Sequence, residues 1–131
     1  MKALYLLVSL FLVSIVISGC GSSAVGRALK FSENAYNGIP MKESEWLVGE
    51  GRTRSSLLYK FGGLDALRLQ SKAEADKNGG VSGVRVLRSL ERNGKWFIEV
   101  EVIFKNGEKV TGADCWVLED GVWKISPTEV Q

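Results

Sequence analysis

At Asn78-Gly79-Gly80 the spacing of apolar residues changes from a helical period to a strand period, and this change dictates the class of fold open to the chain. Upstream, Val25, Ala28, Leu29, Ser32 and Tyr36 recur at three- and four-residue steps. Leu64 to Lys77 reads as a second amphipathic helix, stopped by the Asn-Gly-Gly junction. Downstream, Val84, Val86 and Leu90 alternate with Arg85, Leu87 and Ser89; then Trp96, Ile98, Val100, Val102 and Phe104 alternate with Phe97, Glu99, Glu101 and Ile103. A third strand is expected over Val110 to Leu118 and a fourth over Val122 to Ile125. Asn93-Gly94, Asn106-Gly107 and Asp120-Gly121 separate these runs as turn dipeptides. Helices first and strands after define an α+β fold, with N-terminal helices packed on a curved antiparallel meander sheet of about four strands.

Shorter signals fill in the first half. Ser22 or Ser23 is the expected N-cap of a helix over Ala24 to Tyr36 that ends at Asn37-Gly38. Pro40 fits the first position of a short helix with Glu43 and Glu45 in its early turns, and Met41, Trp46, Leu47 and Val48 supply its apolar surface. Gly49 and Gly51 close it. Gly49-Glu50-Gly51-Arg52-Thr53-Arg54 lacks the spacing of a phosphate loop and follows no strand, so it reads as a solvated loop. Leu57, Leu58, Phe61 and Leu64 form a helical stripe interrupted by Gly62-Gly63.

A two-residue turn at Asn106-Gly107 would pair Ile98 with Cys115, Val100 with Ala113 and Val102 with Thr111. That register gathers Trp96, Ile98, Val100 and Val102 on one face with Cys115 and Val117. Trp123 and Ile125 join that face only if Glu119-Asp120-Gly121 is a bulged three-residue loop with Gly121 left-handed. Glu99, Glu101 and Asp114 then share the opposite face, where Glu99 and Asp114 would repel unless Arg85, Arg88 or Lys124 lies beside them. Paired carboxylates on the wet face of a strand are ordinarily solvated, so this cluster reads as surface.

The first nineteen residues belong to no fold. Residues 3–17 are apolar apart from Ser9 and Ser14, follow the lone charge of Lys2, and lead into Ile17-Ser18-Gly19-Cys20, the layout of a secretion signal. The competing reading is an uncleaved signal anchor. Ile17-Ser18-Gly19-Cys20 resembles the lipobox of bacterial lipoproteins. The resemblance implies cleavage before Cys20, diacylglycerol on its thiol and acylation of its amino group. Several acyl chains, at about 0.8 kcal/mol per buried CH₂, anchor a protein without a transmembrane helix. Gly21 stands where an aspartate would resemble an inner-membrane retention signal, so the expected address is the periplasmic leaflet of the outer membrane. Residues 20–23 form a short tether, and residues 24–131 are expected to fold as one domain. With Cys20 acylated, Cys115 has no disulfide partner within the chain and is expected to be buried as a small hydrophobe.

Charge and composition narrow the functional classes. Lys and Arg number 17 against 15 Asp and Glu, too balanced for a dedicated nucleic-acid binder. Histidine is absent, which removes His-based triads and His-ligated zinc. No metal, cofactor or catalytic residue is assigned.

Gly63-Leu64-Asp65-Ala66-Leu67, Lys77-Asn78-Gly79-Gly80-Val81-Ser82-Gly83-Val84, the Asn-Gly hairpins and the closing Leu118-Glu119-Asp120-Gly121-Val122-Trp123-Lys124-Ile125 together resemble bacterial lipoproteins of the cystatin-like cone fold. That fold is also found in nuclear transport factor 2 and ketosteroid isomerase. The resemblance runs from about Ala24 to Ser126 and implies a conical cavity between the long helix and the sheet. Its apolar lining would include Trp96, Ile98, Val100, Val117 and Trp123, side chains that individually also suit a plain core. The leading expectation is a membrane-anchored, non-enzymatic binding or interaction module. Its partners would be the membrane, through the lipid, and a small apolar ligand, an envelope protein or a second copy of the chain. One alternative is an enzyme resembling ketosteroid isomerase, which needs a carboxylate base and a tyrosine or protonated acid in a dry pocket. The acids available are Asp65, Asp76, Glu99, Glu101 and Asp114, and the tyrosines Tyr36 and Tyr59; spacing alone brings no pair together. The other alternative is a periplasmic inhibitor or exclusion (immunity) lipoprotein.

Overall fold

The computed structural model describes residues 22–49 and 63–126. The stretch read as a secretion signal, Cys20, most of the loop after Gly49, the stripe of Leu57, Leu58 and Phe61, and Tyr59 lie outside the described residues. Among the described residues, three helices, α1 (Ser22–Tyr36), α2 (Glu43–Trp46) and α3 (Gly63–Lys77), precede four strands, β1 (Val81–Arg92), β2 (Lys95–Phe104), β3 (Lys109–Glu119) and β4 (Val122–Ile125). The strands form one antiparallel meander in the order β1-β2-β3-β4, and α1 packs on all four strands and on α3. The architecture is the expected α+β layering.

Small side chains let α1 lie close to the sheet. Ala24, Ala28, Phe31 and Ala35 are its buried apolar stripe, while Val25 and Leu29 sit at its flanks, half-buried. The buried face is therefore rotated from the one centred on Val25, Leu29 and Tyr36. The helix begins at Ser22, so Ser22 and Ser23 belong to it rather than to the tether. Both long helices end in the same way. Ile39 N–H donates to the Asn34 carbonyl (2.8 Å) and Gly38 N–H to Ala35 (3.2 Å); Gly80 N–H donates to Ala75 (2.7 Å) and Gly79 N–H to Asp76 (3.2 Å). These are Schellman closures, and Gly38 (φ 72°) and Gly79 (φ 87°) supply the left-handed residue each requires.

The short helix departs from expectation. It starts at Glu43, with Lys42 as its cap, so Pro40 lies ahead of it rather than in its first turn. It stops at Trp46 because Leu47 turns extended and bridges Ile125 in parallel, while Val48 N–H donates to the Ile125 carbonyl (2.9 Å). Pairing with the edge of β4 outcompetes another helical turn.

Two of the three hairpins differ from the expected register. Asn93-Gly94 is the expected two-residue turn, with φ of 54° and 78° and Arg92 opposite Lys95. At the second hairpin Gly107 is left-handed (φ 90°) but Asn106 is not, and Phe104 N–H donates to the Glu108 carbonyl. The connection is the three-residue loop Lys105-Asn106-Gly107. One added residue shifts β3 by one position: Ile98 faces Asp114, Val100 faces Gly112, Val102 faces Val110 and Phe97 faces Cys115. The predicted Cys115–Ile98, Ala113–Val100 and Thr111–Val102 pairs are thus corrected, and every β3 side chain changes face. The bulge expected at Glu119-Asp120-Gly121 is also corrected. Glu119 pairs with Val122 across a two-residue turn in which Asp120 (φ 54°) and Gly121 (φ 78°) are both left-handed. Because the extra residue sits in the earlier turn, Ile125 still reaches the inner face, opposite Trp116. In β1 an irregularity between Val86 and Arg88 sets Leu90 opposite Phe97 instead of on the face of Val84 and Val86.

The core has two clusters. In one, Phe31, Trp46 and Trp116 meet with ring centroids 5.7, 6.0 and 6.3 Å apart, over Ile98, Val100 and Ile125. In the other, Ala75 of α3 packs on Val102 and Phe104, with Tyr36 5.8 Å from the Phe104 ring. Ile98 of β2 is 1% exposed and Leu118 of β3, on the same face of the sheet, 57%. Ile98→Ala should cost about 2–5 kcal/mol through cavity formation. Leu118→Ala should stay within about 0.5 kcal/mol. Urea unfolding of the two variants checks the pair.

Candidate functional site

The corrected register creates the site. A cavity of ≈ 240 Å³ lies where α1, α3 and the inner face of β2 and β3 converge. Phe31, Leu47, Leu64, Leu67, Val100 and Val102 supply most of its apolar wall, and Ser32, Tyr36, Ser71 and Asp114 bring polar atoms to it. Gly112, opposite Val100, lies at the open side of this space. A Cβ built on it meets nothing within 4 Å, so no side chain narrows the cavity at this position.

Asp114 projects from β3 beside this gap, opposite Ile98 and two residues from the wholly buried Trp116. Burial raises its carboxyl from an ordinary 3.8 to about 6, because the ionised form loses hydration. Among the described residues, no side chain or backbone group donates a hydrogen bond to it, and no Lys or Arg lines the cavity. Tyr36 enters from α1, hydrogen-bonded to Ser71 of α3, and burial raises its phenol as well, with Ser71 opposing.

The residues singled out in the sequence distribute as follows. Val100 lines the cavity. Ile98 is in the core cluster beside it, and Trp96 and Trp123 pack against that cluster without reaching the cavity wall. Val117 is on the other face, opposite Lys124, for the same reason that Cys115 is: odd-numbered residues of β3 point away from the helices. Cys115 is fully buried there, and its burial agrees with the sequence reading. Glu99 and Glu101 also lie on that outer face, opposite Ala113 and Thr111, and Arg85 Nε donates to Glu101 Oε1 at 2.7 Å. Asp114 is not among them. Asp65 pairs with Arg68 at 2.8 Å and Asp76 with Lys72 at 2.6 Å on the exposed side of α3. Of the five acids and two tyrosines considered, Asp114 and Tyr36 come together in one cavity.

The remaining charged contacts are structural. The Arg27 guanidinium stacks 3.7 Å over Trp46, its Nε donates to the Trp123 carbonyl (3.0 Å) and its Nη2 to the Glu45 carbonyl (2.5 Å). One side chain thereby ties α1 to α2 and β4. Gly49 N–H donates to both Glu119 carboxylate oxygens (3.2 and 3.0 Å), and with Lys124 Nζ at 3.3 Å this holds the Glu119 carboxyl below its usual range. Among the described residues, no group of three acidic, His or Cys side chains is placed to hold a metal.

No protein-family model matches the chain, and no curated protein matches it. A solved structure does: a protein of Campylobacter jejuni provisionally named an NTF2-like transpeptidase, with a TM-score of 0.62 and 18% identity over 75% of this chain and 92% of that one. The fold is therefore an NTF2-like cone, helices wrapped over a bent antiparallel sheet. At this identity the likeness speaks for the fold alone.

Asp114 yields a pH test. Its folded-state pKa lies above the unfolded value, so the native protein holds a proton that the unfolded chain has lost between about pH 4 and 6, and stability falls as pH rises through that window. Asp114→Asn should abolish this slope. It should make the protein more stable than wild type at pH 7.5 by on the order of 2 kcal/mol, with the two proteins converging near pH 4. Urea unfolding at several pH values measures both.

Proposed function

We propose that the chain is a lipid-anchored binding module of the cell envelope whose cavity takes a small, predominantly apolar ligand. One observation carries the reading: the cavity is walled by apolar side chains and kept open by Gly112, with a few polar groups placed to orient what enters. An engineered apolar cavity of about 150 Å³ accommodates a benzene ring. The larger space here suits a ring with a short substituent. The anchor rests on Ile17-Ser18-Gly19-Cys20 and the apolar stretch before it. No helix among the described residues is long and apolar enough to cross a membrane. With α1 starting at Ser22, acylated Cys20 would leave almost no slack, holding the α1 end of the cone against the lipid surface.

The presence of Asp114 and Tyr36 in one cavity favours a second reading, a proton-transfer enzyme resembling ketosteroid isomerase. A carboxyl titrating near 6 is suited to exchange protons at neutral pH, and a buried phenol can donate to a developing oxyanion. The binding module is preferred because the carboxylate lacks a second group to orient it, and general-base catalysis depends on such positioning. Transpeptidation, the activity in the Campylobacter protein's name, would require a nucleophile. Cys115 lies behind the sheet, away from the cavity, and Ser32 and Ser71 have no histidine to activate them.

Two experiments test the proposal. Native mass spectrometry of the full-length chain, extracted from envelopes in mild detergent, should show a bound species of small mass that Gly112→Leu reduces at least tenfold by filling the gap. A clean apo mass for both proteins would sink the small-ligand reading. For the anchor, labelled palmitate should be incorporated by the wild type and not by Cys20→Ala, which should keep its apolar leader and run at a correspondingly higher mass.

A further inference from the structure

We infer that the cavity selects a small apolar monocation, an amine of about nine to twelve heavy atoms whose ammonium group pairs with Asp114 while its hydrocarbon part fills the space opened by Gly112. The inference rests on the small-ligand reading and adds the charge of the ligand.

Charge complementarity argues for a cation. Asp114 supplies the only ionisable group of ordinary acidic or basic range in the described wall of the cavity. From α1 the wall receives Tyr36, which is neutral at physiological pH; from α3 it receives Leu64, Leu67 and Ser71, and from β2 Val100 and Val102. Of the Lys and Arg residues beside the wall in sequence, Lys30 pairs with Glu33 and Lys124 with Glu119, while Lys109 is exposed on the outer face of β3, opposite Ile103. Arg68 is bonded to Asp65 and to the Gly38 carbonyl, Lys72 to Asp76, and Arg85 to Glu101 on the far face. The described cavity thus holds one negative charge with no internal counter-ion.

A carboxyl titrating near 6 is mostly ionised at neutral pH. Asp114 is half-buried against an apolar wall; an anion left unpaired there is unfavourable, and a ligand that brings the missing positive charge relieves that cost. A neutral ligand leaves the charge unpaired, and an anionic one adds repulsion. Phe31 and Tyr36 also present ring surface in the wall, which attracts an ammonium group. The cavity sets the size of the part of the ligand it holds, because its volume exceeds what one ring fills.

The test compares three probes of nearly equal shape, 2-phenylethylamine, 2-phenylethanol and 3-phenylpropanoate, by calorimetry on the full-length chain in non-ionic detergent. Asp114→Asn run in parallel removes any contribution from partition into micelles. At pH 7.5 the amine should bind about ten times or more tightly than the alcohol, and the carboxylate should bind weakest. Asp114→Asn should bring amine and alcohol within about threefold of each other. Because the bound cation favours the ionised carboxyl, amine affinity should fall about tenfold between pH 7.5 and 5, while the alcohol's stays constant. The amine itself remains protonated throughout that range.

If the alcohol binds as tightly as the amine, the charge inference is overturned and the small-ligand reading survives. If Gly112→Leu weakens alcohol binding but Asp114→Asn leaves amine binding untouched, the result is the same. If none of the three probes binds, both readings fall.

Discussion

The cavity depends on a set of hydrogen bonds that clamp the Lys105-Asn106-Gly107 turn to the end of α3. The Asn106 side-chain amide donates to Asn78 Oδ1 at 2.7 Å, Asn106 Oδ1 accepts from Glu108 N–H at 2.9 Å, and Lys105 N–H donates to the Gly80 carbonyl at 2.9 Å. Asn78 in turn donates to the Glu74 carbonyl at 2.8 Å, so the helix terminus and the hairpin share one polar network. A two-residue turn would place Asn106 in a left-handed conformation and remove the geometry these bonds use. It would also slide β3 by one residue, sending Asp114 to solvent, Trp116 out of the aromatic cluster and Cys115 into the cavity. The helix cap, the loop length and the identity of the cavity's acid are consequences of one local arrangement.

With β3 fixed, the two core clusters act as abutments. Phe31, Trp46 and Trp116 hold α1 and α2 at one end of the sheet, braced by Arg27 across Trp46; Ala75, Phe104 and Tyr36 hold α3 at the other. The cavity lies between them and takes wall residues from both, Val100 and Ile125 from the first and Val102 and Val110 from the second. Closing the space would require α1 to sink toward Gly112, which the large side chains at either end prevent. Packed interiors resist such collapse, so an opening flanked by rigid clusters persists.

Much of the fold was legible because helix and strand periods are written into the apolar pattern. Asn78-Gly79-Gly80 marked the junction, Asn93-Gly94 marked its turn, and Cys115 was read as buried from its apolar surroundings. The site was legible only in its ingredients. Asp114 and Tyr36 were both visible as candidates, but Asp114 was assigned to the outer face because Asn106-Gly107 suggests the same two-residue turn as Asn93-Gly94. The difference lies in a tertiary partner: Asn93 is free to take positive φ, whereas the Asn106 side chain is drawn to Asn78, twenty-eight residues away. Turn propensity is a local quantity and does not contain that partner. One signal was present, since alternation from the fully apolar Trp116 backwards puts Asp114 and Gly112 on its face. A polar residue and a missing side chain on a core face then mark a space rather than a core. The short α2 failed for a related reason, because the extended pairing of Leu47 with Ile125 is again a tertiary contact.

Beneath the helices the inner face of β3 reads Val110, Gly112, Asp114, Trp116, and two of these four positions work against stability. Glycine inside a strand gives up side-chain packing and conformational restriction, and a desolvated carboxyl at neutral pH carries an electrostatic cost. Apolar residues at both positions would extend the core from Trp116 to Val102 without a break. Departures from local consistency are expected where a chain does something other than fold, and here they are adjacent and open onto the same space. The cavity is therefore better understood as built by Gly112 and Asp114 together, one keeping its open side clear and the other setting its charge, than as a packing defect in which an acid happens to lie. A defect would be filled by the first larger apolar residue at position 112 with a gain in stability. The same substitution in a binding cavity trades that gain against occupancy, which is why stability and ligand retention should move in opposite directions at this one position.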